Sequence, residues 1–149
     1  MNQAELLKRL LLRIPEDEWR GLEEGDASLV ISRHNRETLL RMRRYEPSLE
    51  AMPDAEVRAM EQLLNDYLNR YMPDQPEGHR FIASCCIFLA FVAREPLHPA
   101  EIVHHRRTVE DGVVRYRCPA REDVPGSLCR FCVCEGAAAQ ASSDDPLRF

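Results

Sequence analysis

The sequence predicts a mainly α-helical fold: a helical bundle around a central apolar helix at about residues 77–94, with a C-terminal β-hairpin and a cysteine-rich, zinc-ribbon-like cap. Three observations predict it. Apolar residues recur at steps of three and four along most of the N-terminal half. The run Phe81 to Ala93 carries no charge and is apolar on every face, the mark of a helix that others surround. Beyond Pro99 the pattern changes to a short hairpin followed by four of the six cysteines, between Cys118 and Cys134.

Gln3 to Ile14 sets Leu6, Leu7, Leu10, Leu11 and Ile14 on one face, with Lys8, Arg9 and Arg13 on others, and Pro15 stops the helix. Pro15-Glu16-Asp17-Glu18 opens a second helix with proline and acids in the first turn, where the helix dipole favours them. Gly21 and Gly25 limit it to a turn or two, and its Trp19, the only tryptophan, is expected to pack on the bundle. Asp26-Ala27-Ser28 can cap a third helix to about Tyr45, with Leu29, Val30, Leu39, Leu40 and Met42 as its apolar set. Its arginines, Arg33, Arg36, Arg41, Arg43 and Arg44, read as a solvated face offset by acids rather than an anion site. After a linker between Pro47 and Pro53, Asp54 caps a fourth helix whose stripe is Val57, Met60, Leu64, Tyr67 and Tyr71, widened by Leu63 and Leu68. The loop after Pro73 is short enough to make the central helix its antiparallel neighbour. Cys85 and Cys86 lie inside that helix about 100° apart, which reads as core rather than chelation.

Asp111-Gly112 is a type I′ turn signal between two short strand-like runs, Arg107 to Val109 and Val113 to Tyr116. Two strands alone are marginal in water, so a metal at the hairpin's end would supply stability. Residues 1–134 therefore read as one domain, with the bundle over 3–94 and the metal-binding cap over 96–134, and 135–149 as a disordered tail.

The metal reading rests on spacing. Cys129-Arg130-Phe131-Cys132 can aim two sulfurs at one point, and the loop bearing Pro119, Pro125 and Gly126 has the slack to bring Cys118 to it. The fourth ligand is open between His98, held stiff between Pro96 and Pro99, and Cys134, which points with Cys132 if the chain is extended. His104, His105 or water are further candidates.

These residues also carry a resemblance. Pro96-Leu97-His98-Pro99, the hairpin end Tyr116-Arg117-Cys118-Pro119 and Leu128-Cys129-Arg130-Phe131-Cys132-Val133 resemble the uncharacterised archaeal family called domain of unknown function 2115, from about Val57 to Val133. The resemblance implies an archaeal, cytoplasmic setting and favours His98 in the cysteine constellation, but implies no activity. Two features depart from the family pattern: Cys134 lies outside it, and the stretch 100–107 carries less glycine.

Composition and motifs bound the function. The net charge of −5 argues against a general nucleic-acid binder. The 13-residue apolar run is shorter than the roughly 18 to 20 residues a membrane span needs. The expected role is a structural zinc site in a protein that acts through a protein partner. An iron–sulfur redox protein using Cys118, Cys129, Cys132 and Cys134 is the alternative. A zinc deaminase with Glu101 as acid/base is disfavoured, because Glu101 stands three residues after His98 where that signature has two, and Leu128 replaces the proline before Cys129.

Overall fold

The computed structural model describes residues 1–24 and 30–136. The expected Asp26-Ala27-Ser28 cap, the side chains of Leu29 and Val30, and residues 137–149 lie outside them. Five helices precede a small sheet: α1 (Gln3–Leu12), α2 (Glu16–Glu24), α3 (Val30–Arg44), α4 (Asp54–Tyr71), α5 (Pro76–Ile87), β1 (Arg106–Glu110), β2 (Val113–Cys118) and β3 (Glu135–Gly136).

Asn2 starts α1 through a capping box: its side chain accepts from the Glu5 N–H at 2.9 Å, and the Glu5 carboxylate accepts from the Asn2 N–H at 3.2 Å. The linker before α4 is tied to this N-terminus by Gln3 N–H to Glu50 O at 2.8 Å and Met52 N–H to Met1 O at 2.9 Å. Asp54 does not cap α4 as expected; it is the first helical residue, and its carboxylate holds the Met1 ammonium at 3.1 Å. Gly21 does not end α2, which runs on to Glu24, where Arg36 donates to the Leu22 and Glu23 carbonyls at 2.6 and 3.2 Å and so closes the helix end.

The core is where α1, α3, α4 and α5 meet. Leu6, Leu10, Leu39, Met42, Val57, Met60, Leu64, Ile87 and Phe88 are all shielded from solvent. Trp19 packs on this core as expected, with the Arg43 guanidinium 4.8 Å above its ring. Three of the five arginines of α3 are ion-paired: Arg33 with Glu101 at 3.1 Å, Arg41 with Glu95 at 3.0 Å and Arg43 with Glu23 at 2.6 Å.

Three sequence expectations need correction here. Tyr67 and Tyr71 are more than half exposed and pack on each other, with centroids 4.7 Å apart, while Leu68 continues the buried stripe. A step of four from Leu64 keeps to the 3.6-residue period better at that point than a step of three. The apolar segment 77–94 is not α-helical throughout: α5 passes at Phe88 into a π-helical turn, Phe88–Ala93, whose widened end lets the Leu89 carbonyl accept from both Arg94 and Glu95. Nor is it buried on every face. Ser84, Cys85, Ile87, Phe88 and Leu89 enter the core, whereas Phe81, Ile82, Cys86 and Phe91 are half-buried. With Pro76 included, the 18-residue stretch to Ala93 is long and apolar enough to cross a membrane by length and composition alone, and 39% of it is buried within the protein.

Asp111 (φ 52°) and Gly112 (φ 77°) form the expected type I′ turn and pair β1 with β2 from Arg106↔Arg117 to Glu110↔Val113. β3 was not expected: Glu135 and Gly136, read as the start of the tail, pair in parallel with Arg117 and Cys118, giving the order β1-β2-β3. Phe131, in a 3₁₀ turn over Leu128–Phe131, anchors this module to the helical core.

Candidate functional site

The fold gathers the cysteines by packing three walls around one pocket of about 480 Å³. Leu63 and Tyr67 of α4 and Ile82 and Cys86 of α5, each pair four residues apart on its helix, make the first wall. Pro96, Leu97 and His98, immediately after the π turn, make the second. Cys118 at the end of β2, with the loop through Arg121, Val124, Cys129, Cys132 and Cys134, makes the third.

Each thiol on the third wall is placed by local geometry. The Ser127 side chain caps the 3₁₀ turn by accepting from the Cys129 N–H at 3.1 Å, and the Cys132 N–H closes it on the Cys129 carbonyl at 3.1 Å. Cys132 then turns extended (φ −72°, ψ 140°), so Cys134, two residues on, shares its face. Parallel pairing of Gly136 with Cys118 brings the end of β2 beside that Cys-x-Cys segment. Arg121 clamps it: Nη1 donates to the Cys134 carbonyl at 2.5 Å and the Cys132 carbonyl at 3.3 Å, while Nε holds Asp123 at 2.7 Å.

Cys132 and Cys134 titrate as one pair. The Cys134 thiol, then the Cys134 and Leu97 backbone N–H groups and the Arg121 charge, favour the thiolate at Cys132, against the cost of burial. Cys134 is correspondingly held protonated, first by that same hydrogen bond, then by burial and by the neighbouring Cys132 and Cys118. The pair therefore releases one proton readily and the second reluctantly. A soft, thiophilic cation, were one bound, would favour loss of the second.

The residues singled out by spacing fare unequally. Cys118, Cys129, Cys132, Cys134 and His98 all line the pocket. Among the described residues, no three His, Cys, Asp or Glu side chains converge closely enough to hold an ion as they stand. Cys134 is only 3% exposed, whereas His98 is exposed and contributes its carbonyl, at 3.1 Å, to the ring N–H of His105. His105 also lines the pocket and meets Tyr116 edge to face, while His104 is exposed. Glu101 is exposed and ion-paired with Arg33 at 3.1 Å.

Sequence reasoning missed three participants. Cys86, read as core, lies on the first wall; burial first and the nearby Cys132 second push its thiol up to about 12. Its partner Cys85 does enter the core, at 1% exposed. The Ile82-x-x-x-Cys86 spacing was the available signal, one helix face shared with the pocket. Leu97 acts through its backbone and Arg121 through a clamp on carbonyls, and neither contact leaves a mark in residue type.

The comparisons with known proteins agree with the resemblance drawn from the motifs. The model of the family described as "uncharacterized protein conserved in archaea" (DUF2115) matches residues 6–137. This chain belongs to that family. It is also similar to the UPF0305 protein MJ0646 of Methanocaldococcus jannaschii, at 32% identity over 99 residues, covering 59% of this chain and 58% of the relative. The match thus spans less than two thirds of that relative's length. No solved structure matches the chain.

Proposed function

We propose that this protein is a helical scaffold whose C-terminal module is fastened by one zinc ion, bound by the thiolates of Cys118, Cys129, Cys132 and Cys134, and that it acts by binding a protein partner rather than by turnover. The observation that carries the reading is the Cys132–Cys134 pair, already primed for deprotonation in a pocket that Cys118 and Cys129 also line. Four thiolates suit tetrahedral zinc, and such closed sites are structural. Burial of Cys134 beside Cys132, with His98 exposed, favours Cys134 over His98 as the fourth ligand. The four side chains stand on the pocket walls, so loading the ion draws them inward and ties β2 to the 3₁₀ turn and β3. Reduced thiols of this kind fit a cytoplasmic setting.

The test is metal content by mass spectrometry with a visible spectrum, on protein purified without oxygen and without added zinc. One colourless zinc per chain, lost in Cys129→Ser and Cys134→Ser but kept in His98→Ala and Cys85→Ala, is the expected result. Loss in His98→Ala with retention in Cys134→Ser would move the fourth ligand to His98. Several irons with broad visible absorption would replace zinc by an iron–sulfur cluster on the same cysteines. Protein without bound metal under every loading condition would overturn the proposal.

A further inference from the structure

The sheet order β1-β2-β3 leaves the outer edge of β1 without a neighbouring strand among the described residues, and four of its five residues are exposed. The hairpin decides which backbone groups face that edge. A two-residue type I′ turn is closed by a pair that exchanges both hydrogen bonds, here Glu110 and Val113. Alternation then uses the N–H and C=O of Thr108 and Arg106 towards β2, and directs those of Arg107 and Val109 outward.

The side chains along β1 read Arg106-Arg107-Thr108-Val109-Glu110. Laid antiparallel on itself with Thr108 at the two-fold axis, this order sets Arg106 opposite Glu110 twice. It also sets Arg107 opposite Val109 twice, and these are the residues whose backbone groups point outward. Register and charge therefore agree in one arrangement. Within the chain the cross-strand neighbour of Arg106 is another cation, Arg117, which already faces Glu110 at 3.7 Å and Glu135 at 3.8 Å. A carboxylate arriving from outside would relieve that like-charge pair. On the other face Val109 and Val114 are 57% and 41% exposed, and the aliphatic stem of Arg107 from a second copy would cover Val109.

We propose that β1 is a self-association edge: a second copy of this chain pairs with it antiparallel about Thr108, through four main-chain hydrogen bonds and two Arg106–Glu110 ion pairs, to make a continuous six-stranded sheet. The edge charges then act selectively, opposing strands that lack the complementary order while matching a second copy. The contact is smaller than a standard interface, so it is a weak, reversible dimer that forms at protein concentrations on the order of 10 to 100 µM. It does not depend on which metal, if any, the cysteines hold.

Sedimentation velocity on the full chain tests it, with circular dichroism and metal content measured for each variant. The wild type is expected to pass from one-chain to two-chain mass across that concentration range. Val109→Pro removes an outward N–H that the hairpin does not use, and should stay folded and monomeric. Arg106→Glu and Glu110→Arg each create like-charge pairs and should be monomeric alone. Mixed in equal amounts they should dimerise, because each then meets its complement. A wild type of one-chain mass throughout would overturn the proposal, as would a dimer that survives both Val109→Pro and Arg106→Glu. A mixture that stays monomeric would overturn the register. Co-sedimentation only with an added extended peptide would assign the edge to a foreign strand instead.

Discussion

Phe131 should be the residue on which attachment of the C-terminal module to the bundle depends. The residue is 9% exposed, and its ring lies 6.4 Å from that of Phe91 and carries the Arg130 guanidinium at 4.8 Å. Phe131→Ala withdraws roughly 120 Å² of apolar surface from the contact, worth about 3 kcal/mol at about 25 cal/mol per Å². The cavity left behind adds to this, and partial collapse at the exposed margin takes some back, so about 3 to 4 kcal/mol is expected. The exposed Arg130–Glu56 ion pair at 3.0 Å also joins the module to α4, and is worth under about 1 kcal/mol. The loss should therefore appear locally. In native-state hydrogen exchange, amides of β2 and the Cys132 amide should lose protection by about two to three powers of ten, at about 1.4 kcal/mol per tenfold. Amides of Leu10 in α1 and Leu64 in α4 should change by less than about threefold on the same reasoning. An equal fall in both sets would show one cooperative unit and refute the anchoring argument. Unchanged β2 protection would show that Phe131 holds nothing.

Arg94 sits in the left-handed region (φ 55°, ψ 55°) at the end of the π turn, where a β-carbon is strained. Arg94→Gly should raise the urea midpoint by an amount equivalent to about 0.5 kcal/mol, and a lowered midpoint would count against strain at this position. Glu61 accepts from both Arg9 and Arg13 and is one quarter exposed, so Glu61→Gln should cost about 1 kcal/mol at low salt and visibly less in about 1 M salt. A cost that does not change with salt would mean that packing rather than charge is lost. For His34, burial is the largest cause of a pKa below the ordinary 6.5; the Leu97 carbonyl opposes it, and His98 and Arg41 add to it. A histidine depressed in this way binds fewer protons folded than unfolded, so its stabilisation is complete above about pH 6.5 and is lost as the pH falls below that. Thermal unfolding of the wild type should lose more between about pH 7 and about pH 5.5 than that of His34→Gln, and equal slopes would refute the assignment.

The helices were legible because burial imposes the period of the helix on the sequence. Leu6, Leu10, Val57, Met60 and Leu64 were all read as core from spacing alone, and all are shielded. Where competing patterns fit nearly as well, the reading slipped: Tyr67 and Leu68 both extend the α4 stripe, and only packing decides between them. The π turn leaves no periodic mark distinct from that of an α-helix, since its residues are as apolar as those before it. β3 is two residues long and its backbone pairing needs no particular side chains, so a parallel contact across the intervening loop was invisible. At the site, spacing identified cysteines that share a pocket but not which of them approach most closely. That depends on the extended turn at Cys132, a tertiary fact.

The position of the pocket follows from how the apolar helix ends. Had α5 continued as an α-helix, the chain would have left the core one residue out of phase; the π turn and left-handed Arg94 instead deliver Leu97 with its side chain buried, at 7% exposed, and its peptide between two polar groups. The Leu97 N–H faces the Cys132 sulfur, and its carbonyl faces His34 on α3. One peptide thus lies between the cysteine wall and α3, whose Asn35 also lines the pocket. The segment between the π turn and Pro99 therefore lies against both α3 and the cysteine loop. The same proline-flanked segment that suggested a stiffly held His98 therefore serves the site through the neighbouring Leu97 peptide, and does so whether or not the imidazole itself binds anything.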